Sequence, residues 1–299
     1  DDIKELLSTA KKNNLKIIAD FVPNHCSKYH PYFIEAYNNK KSKYRDWFYF
    51  QKNNTYLCFL NFDELPKLRV DHPAVYQYIS DAAFYWLDLG FDGFRLDHVI
   101  GPTFHFWKKF STDIKQKYPE AVLFGEAWAG GLAKRFFKTV HLKNKALKFI
   151  KGIEQESLQL DYYGYLDAML DFKYNDLIKK HFAKHKHITK RFEKQVQKHF
   201  NNYPEDFPPV IFLDNHDMNR FLYSCRQEKD RLLTAFEFTL KQNLPVVIYY
   251  GTETGMTHEK GLHEFNAYSD LQCRKPMPWK NIDNDLVKKF KLLVHSHAR

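Results

Sequence analysis

Three observations predict an α/β fold of the parallel (β/α)8 barrel type: helical and strand-like segments alternate, six apolar runs have strand length, and ionisable residues sit where most of those runs end. Residues 3–14 (IKELLSTAKKNN) have helical spacing and finish on asparagine. Residues 15–22 (LKIIADFV) then change to a short β-branched run typical of a buried strand. Residues 26–70 keep no sustained period and are rich in Lys, Asn, Tyr and Phe, which predicts a long irregular excursion or a small inserted lobe.

From His72 the segment VYQYISDAAFYWLDLG predicts a helix stopped by Gly90, followed by FDGFRLD as a strand. TFHFWKKFSTDIKQKY predicts the next helix, and AVLFGEAW the strand after it. The rhythm continues through YLDAMLDF (165–172), helical material to about residue 202, PPVIFLDNHD (208–217), the helix DRLLTAFEFTLKQN, the strand LPVVIYYG and a last helix near DLVKKFKLLVHS. Strands are therefore expected near 16–22, 91–97, 121–127, 165–172, 209–215 and 245–250. Alternation with helices implies parallel pairing with right-handed crossovers. No internal repeat or low-complexity linker interrupts the series, so one large enzyme domain is the expectation for 299 residues.

Composition narrows the partners. The net charge of +10 comes from lysines scattered through KKNN, NNKKSK and KKHFAKHKH, not from one basic arm with interleaved aromatic residues, which argues against a nucleic-acid partner. No apolar run approaches bilayer length, and the chain opens on Asp-Asp-Ile-Lys-Glu instead of a basic and then apolar leader, so neither a membrane span nor a secretion signal is expected. Cys26, Cys58, Cys225 and Cys273 are too widely spaced for a zinc site or a disulfide framework. Aromatic residues make up 17% of the chain; most serve a core, and the remainder suit stacking on the apolar faces of a ligand.

Barrel active sites lie at the C-terminal ends of the strands. Those ends carry Asn24-His25, Arg95-Leu96-Asp97, Glu126, Asn215-His216-Asp217 and Glu253. Two-residue alternation in FDGFRLD puts Arg95 and Asp97 on one face, with Phe94 and Leu96 turned toward the helices. An arginine beside Asp97 keeps that carboxylate ionised, as a carboxylate nucleophile requires, although buried Arg/Asp pairs also close barrel layers. Glu126 lies between Gly125 and Ala127 with Trp128 following, a partly apolar setting that favours the protonated form and so suits a proton donor. The histidines do not have metal-ligand spacing and are expected to be neutral hydrogen-bonding groups.

DFVPNH (20–25), GFRLDH (93–98), GEAW (125–128) and FLDNHD (212–217) are similar, in order and strand context, to the four signature regions of the α-amylase family, glycoside hydrolase family 13. LPKL (65–68) and GTETGMT (251–257) resemble two further family regions, and the LPKL form points to the neopullulanase, cyclomaltodextrinase and maltogenic amylase branch. The resemblance implies Asp97 as nucleophile, Glu126 as general acid/base and Asp217 as the carboxylate that holds and distorts the sugar. It implies substrate contacts for His25, Arg95, His98, Trp128, Asn215 and His216. No cofactor is required by it; Asn24 matches a position that in many relatives helps hold calcium, which leaves calcium open.

The resemblance also implies a partial catalytic domain over 1–299: the first strand corresponds to the family's third, the first two βα units are absent, 26–70 is the inserted lobe, and the C-terminal β-domain is largely absent. The implied partner is an α-glucan or maltooligosaccharide and the implied reaction retaining hydrolysis of α-1,4-glucosidic bonds. Transglycosylation and a non-catalytic glucan-binding role are the competing expectations.

Overall fold

The computed structural model describes residues 1–128, 141, 155–262 and 269–297. Two compact units make up the chain, Asp1–Met169 and Leu170–Arg299. In the first, α1 (Asp2–Lys12) buries Leu7 and Ala10, carries Asp2 and Glu5 in its first turn and Lys11 and Lys12 in its last, and stops at Asn13. This charge order complements the helix dipole. The longer α3 (Pro73–Leu89) follows α2 (Pro31–Asn38); His72 caps it and Gly90, at φ 116°, ends it in the left-handed region predicted from the glycine. Thr103 caps α4 (Phe104–Lys117), and α5 is the short helix Gln155–Leu160.

Four strands alternate with these helices: β1 (Ala19–Phe21), β2 (Gly93–Leu96), β3 (Val122–Gly125) and β4 (Ala168–Leu170). Each pairs in parallel with the next, with Asp20 opposite Arg95, Arg95 opposite Phe124, and Phe124 opposite Ala168. Phe94 and Leu96 are fully buried, and the Phe94 ring packs 4.8 Å from Phe21, which in turn lies 5.9 Å from Phe110 of α4. The alternation read from FDGFRLD therefore holds.

Strands are shorter than predicted, for identifiable reasons. At β1 the Asp92 carboxylate accepts the Ile17 N–H, so a side chain takes a bond that a strand neighbour would make. At β4 the Tyr162–Leu166 turn intrudes from one side, and Asp171 caps the following helix on the other. Residues 26–70 contain α2, a 3₁₀ turn at Arg45–Trp47 and isolated antiparallel bridges joining Phe48 to Leu68 and Cys58 to Pro66, and a further bridge ties Lys67 to His25 just before the region. Rings fill this region: Tyr32 stacks on Tyr44 at 4.1 Å, and both pack edge-on to the buried Trp47.

The second unit contains α6 (Phe172–Phe182), α7 (Lys190–Phe200), β5 (Pro209–Phe212), α8 (Phe221–Ser224), α9 (Lys229–Leu240), β6 (Val246–Val247) and α10 (Asn284–His297). β5 and β6 are parallel, with Ile211 opposite Val246. Tyr174, Ile178, Phe182, Ile211, Phe236 and Phe290 form the core, where the Phe236 and Phe290 rings stack at 4.2 Å. β6 ends early because the chain turns at Thr252, whose N–H returns to the Tyr249 carbonyl.

Candidate active site

Backbone bonding runs past the ends of the strands in the first unit. Asp97 N–H donates to the Phe21 carbonyl, Glu126 N–H to the Leu96 carbonyl and Val99 N–H to the Glu126 carbonyl, each at 2.9 Å. The ladder thus fixes both carboxylate-bearing residues although neither belongs to a strand. Arg95 lies between them: Nη1 is 2.8 Å from Asp97 Oδ1 and 2.7 Å from Asp20 Oδ1, and Nη2 is 2.9 Å from Glu126 Oε2. Burial opposes the Arg95 charge, but Glu126, Asp20 and Asp97 outweigh it and raise the guanidinium pKa. Glu126 is buried, yet its setting is not the partly apolar one expected from Gly125, Ala127 and Trp128, because the guanidinium is in direct contact.

Beside this cluster, His25 stacks on Phe59 at 4.6 Å and His98 meets the same ring edge-on at 4.5 Å. His98 adopts φ 43°, a conformation that costs energy for a non-glycine residue. Burial and then the Lys67 charge lower His25 from 6.5 to about 4. Burial, followed by Lys67, His25 and Arg95, holds His98 well below its ordinary value. Both rings are therefore neutral at ordinary pH, as expected of hydrogen-bonding groups. Trp128 is partly exposed at the end of this segment.

At Asn24 a side chain occupies the position that the resemblance offers to calcium. Lys67, itself buried, donates from Nζ to Asn24 Oδ1 at 3.1 Å and to the Gly101 carbonyl at 2.6 Å. An ammonium bound to the Asn24 oxygen repels a divalent cation and consumes the acceptor it needs, so the residues around Asn24 do not fit calcium.

In the second unit, β5 delivers Leu213, Asp214 and Asn215, all buried. Asp214 Oδ2 accepts the Phe221 N–H at 2.7 Å and Oδ1 accepts the Thr252 hydroxyl at 2.8 Å, tying the two ends of the loop to the turn after β6. Asn215 Oδ1 accepts the Asp217 N–H at 2.9 Å. His216 Nε2 lies 2.9 Å from Asp217 Oδ2, and Arg274 Nη2 lies 2.5 Å from Asp217 Oδ1. Burial would raise the Asp217 carboxyl, but the hydrogen bond and charge of His216, with Arg274, hold it below its ordinary 3.8.

Sequence reasoning singled out neither Asp20 nor Lys67, Phe59, Asp214 or Arg274 for a site role. Asp20 could have been found by aligning β1 with β2, since it stands opposite Arg95. Lys67 is a lone cation in an apolar quartet. Arg274 is one of 46 basic residues and carries no local signal.

Parallel βα units with carboxylates beyond the strand ends define a barrel-type enzyme. The α-amylase catalytic-domain family matches residues 1–286. The chain is 32% identical over 298 residues to Alpha-amylase 2 of Dictyoglomus thermophilum, covering 98% of this chain and 48% of that protein. It is 28% identical over 297 residues to a cyclomaltodextrinase of a Bacillus species, covering 95% and 47%. A solved cyclomaltodextrinase structure superposes with a TM-score of 0.78 at 26% identity, covering 98% of this chain and 47% of that one. The chain belongs to the α-amylase family of glycoside hydrolases, whose catalytic domain is a TIM barrel, and it spans about half the length of the curated relatives it matches.

Proposed function

We propose that the protein is a retaining glycosidase acting on α-1,4-glucosidic bonds, in which Asp97 is the nucleophile, Glu126 the general acid/base and Asp217 the carboxylate that grips the sugar. The observation that carries this reading is the shared guanidinium: Arg95 holds the carboxylates of Asp97 and Glu126 side by side at the ends of two paired strands. Retention needs two carboxyls about 5–5.5 Å apart, one attacking the anomeric carbon while the other protonates the departing oxygen. Asp97 attacks as an anion, which Arg95 stabilises. Glu126 protonates the leaving oxygen and then, as carboxylate, removes a proton from the water that releases the glycosyl-enzyme. Neutral His25 and His98, together with His216, Asn215 and Trp128, supply hydrogen bonds and a stacking face for a hydroxyl-rich ligand.

Maltooligosaccharides, cyclodextrins, starch and pullulan are the substrate class, with α-1,6 bonds a further target; the name of the Bacillus relative supports cyclic maltodextrins. A sugar in place of water as acceptor gives transglycosylation by the same steps. We read 26–70 as the family's inserted lobe and β1 as its third barrel strand, a reading supported by the irregular, ring-filled structure of that region. Asp97→Asn should reduce hydrolysis of maltotriose to background, and Glu126→Gln should reduce it by about 10²–10⁴-fold, with melting unchanged. Either variant within tenfold of the parent refutes the assignment.

A further inference from the structure

We propose that Arg274 is a positioning residue for Asp217, fixing the carboxylate in orientation before any sugar arrives. The inference rests on the reading of Asp217 as the sugar-gripping carboxylate. Its grounds are geometric. Arg274 contacts the loop twice, through Nη2 to Asp217 Oδ1 at 2.5 Å and through Nε to the His216 carbonyl at 3.1 Å. One planar guanidinium therefore spans a side chain and the peptide preceding it, which fixes a direction as well as a charge.

The arginine is itself anchored from behind. Its neighbour Cys273 donates from Sγ to the same His216 carbonyl at 2.9 Å. The Cys273 carbonyl accepts from Arg220 Nη2 at 2.7 Å and from the Tyr249 hydroxyl at 3.2 Å. Arg220 is fully buried, with its guanidinium 4.2 Å from the Tyr249 ring. A rigid path thus leads from the buried interior of this unit to Asp217. The Asp217–Arg274 pair is about two-fifths exposed on each side, so its worth lies in orientation and protonation state more than in stability.

Among the described residues, the groups that face Asp217 are His216, Arg274 and Cys273, and Asn215 receives its N–H. Arg274 is the permanent cation among them. Removing it leaves burial less opposed, so the carboxyl takes up a proton at higher pH. Arg274→Lys retains a point charge but cannot span both contacts.

The test is carboxyl-carbon NMR of the 299-residue protein labelled at aspartate, with the Asp217 signal identified by its loss in Asp217→Asn. The expected result is an upward shift of the Asp217 titration midpoint in Arg274→Gln and a smaller one in Arg274→Lys. Added salt should raise the midpoint in the parent more than in Arg274→Gln. An unchanged midpoint in a folded Arg274→Gln overturns the proposal. This readout needs no turnover, whereas the role of Asp217 is read from the activity of Asp217→Asn. A fully active Asp217→Asn defeats the underlying reading alone, and an unshifted midpoint defeats the role of Arg274 alone.

Discussion

Arg95 concentrates three carboxylates, Asp20, Asp97 and Glu126, on one buried cation, while a second buried cation, Lys67, lies beside two histidines. The two arrangements have opposite consequences. The first gathers anions around a fixed charge; the second adds to the burial that keeps both rings neutral. Because His25 titrates near 4 in the folded chain and near 6.5 when unfolded, the unfolded state binds more protons between those values. Stability must therefore fall as pH drops from about 6.5 toward about 4, with His98 acting in the same direction. Melting temperature against pH should show this decline in the parent and a weaker one in His25→Asn; parallel curves would count against the burial of a neutral ring. The residue types of this site were legible because strand ends collect polar groups. The partners of Glu126 and Asn24 were not, because Arg95 reaches Glu126 across a strand pair and Lys67 reaches Asn24 from 43 residues away.

At the scale of elements, helices and strands were legible where periodicity was unbroken. α3 runs from the proline after His72 to the residue before Gly90, as its sequence predicts. Strand limits were less legible, since Asp92, Asp171 and the turn at Thr252 end pairing through side chains and loops that no two-residue pattern encodes. Register depends on one close approach. Gly93 opens β2 at φ 150°, and a Cβ there would sit 2.1 Å from the Val122 carbonyl oxygen of β3. The parallel pairing that positions Asp97 and Glu126 thus requires glycine. Gly93→Ala should destabilise the protein by at least about 2 kcal/mol in denaturant unfolding, and an unchanged midpoint would mean that the approach is not as tight as drawn.

At the scale of the molecule, each unit presents an unsatisfied apolar border. Among the described residues β1 has one strand neighbour, and Leu15, Ile18 and Val22 around it are exposed; in the second unit Ile248 and Tyr250, after β6, are exposed as well. Such edges recruit other strands. Light scattering should show the 299-residue chain self-associating in isolation, with Ile18→Lys and Val22→Lys together reducing it. A parent that remains monomeric to high concentration would show that the border is harmless. Barrel class and the places of the six described strands were legible from the alternation of βα units, whereas the length over which each strand pairs was not, because strand pairing is a long-range property that apolar runs do not specify.

The central claim, that Asp97 forms the covalent intermediate and Glu126 governs its formation and release, is tested most directly by mass spectrometry of Glu126→Gln reacted with α-maltosyl fluoride. Fluoride leaves without acid assistance, while the missing base slows hydrolysis, so the glycosyl-enzyme should accumulate. The account predicts one maltosyl group on the peptide that carries Asp97 and its absence in the Asp97→Asn, Glu126→Gln double variant; a maltosyl group on any other carboxylate, or turnover of the fluoride with no adduct and inverted product, would contradict it.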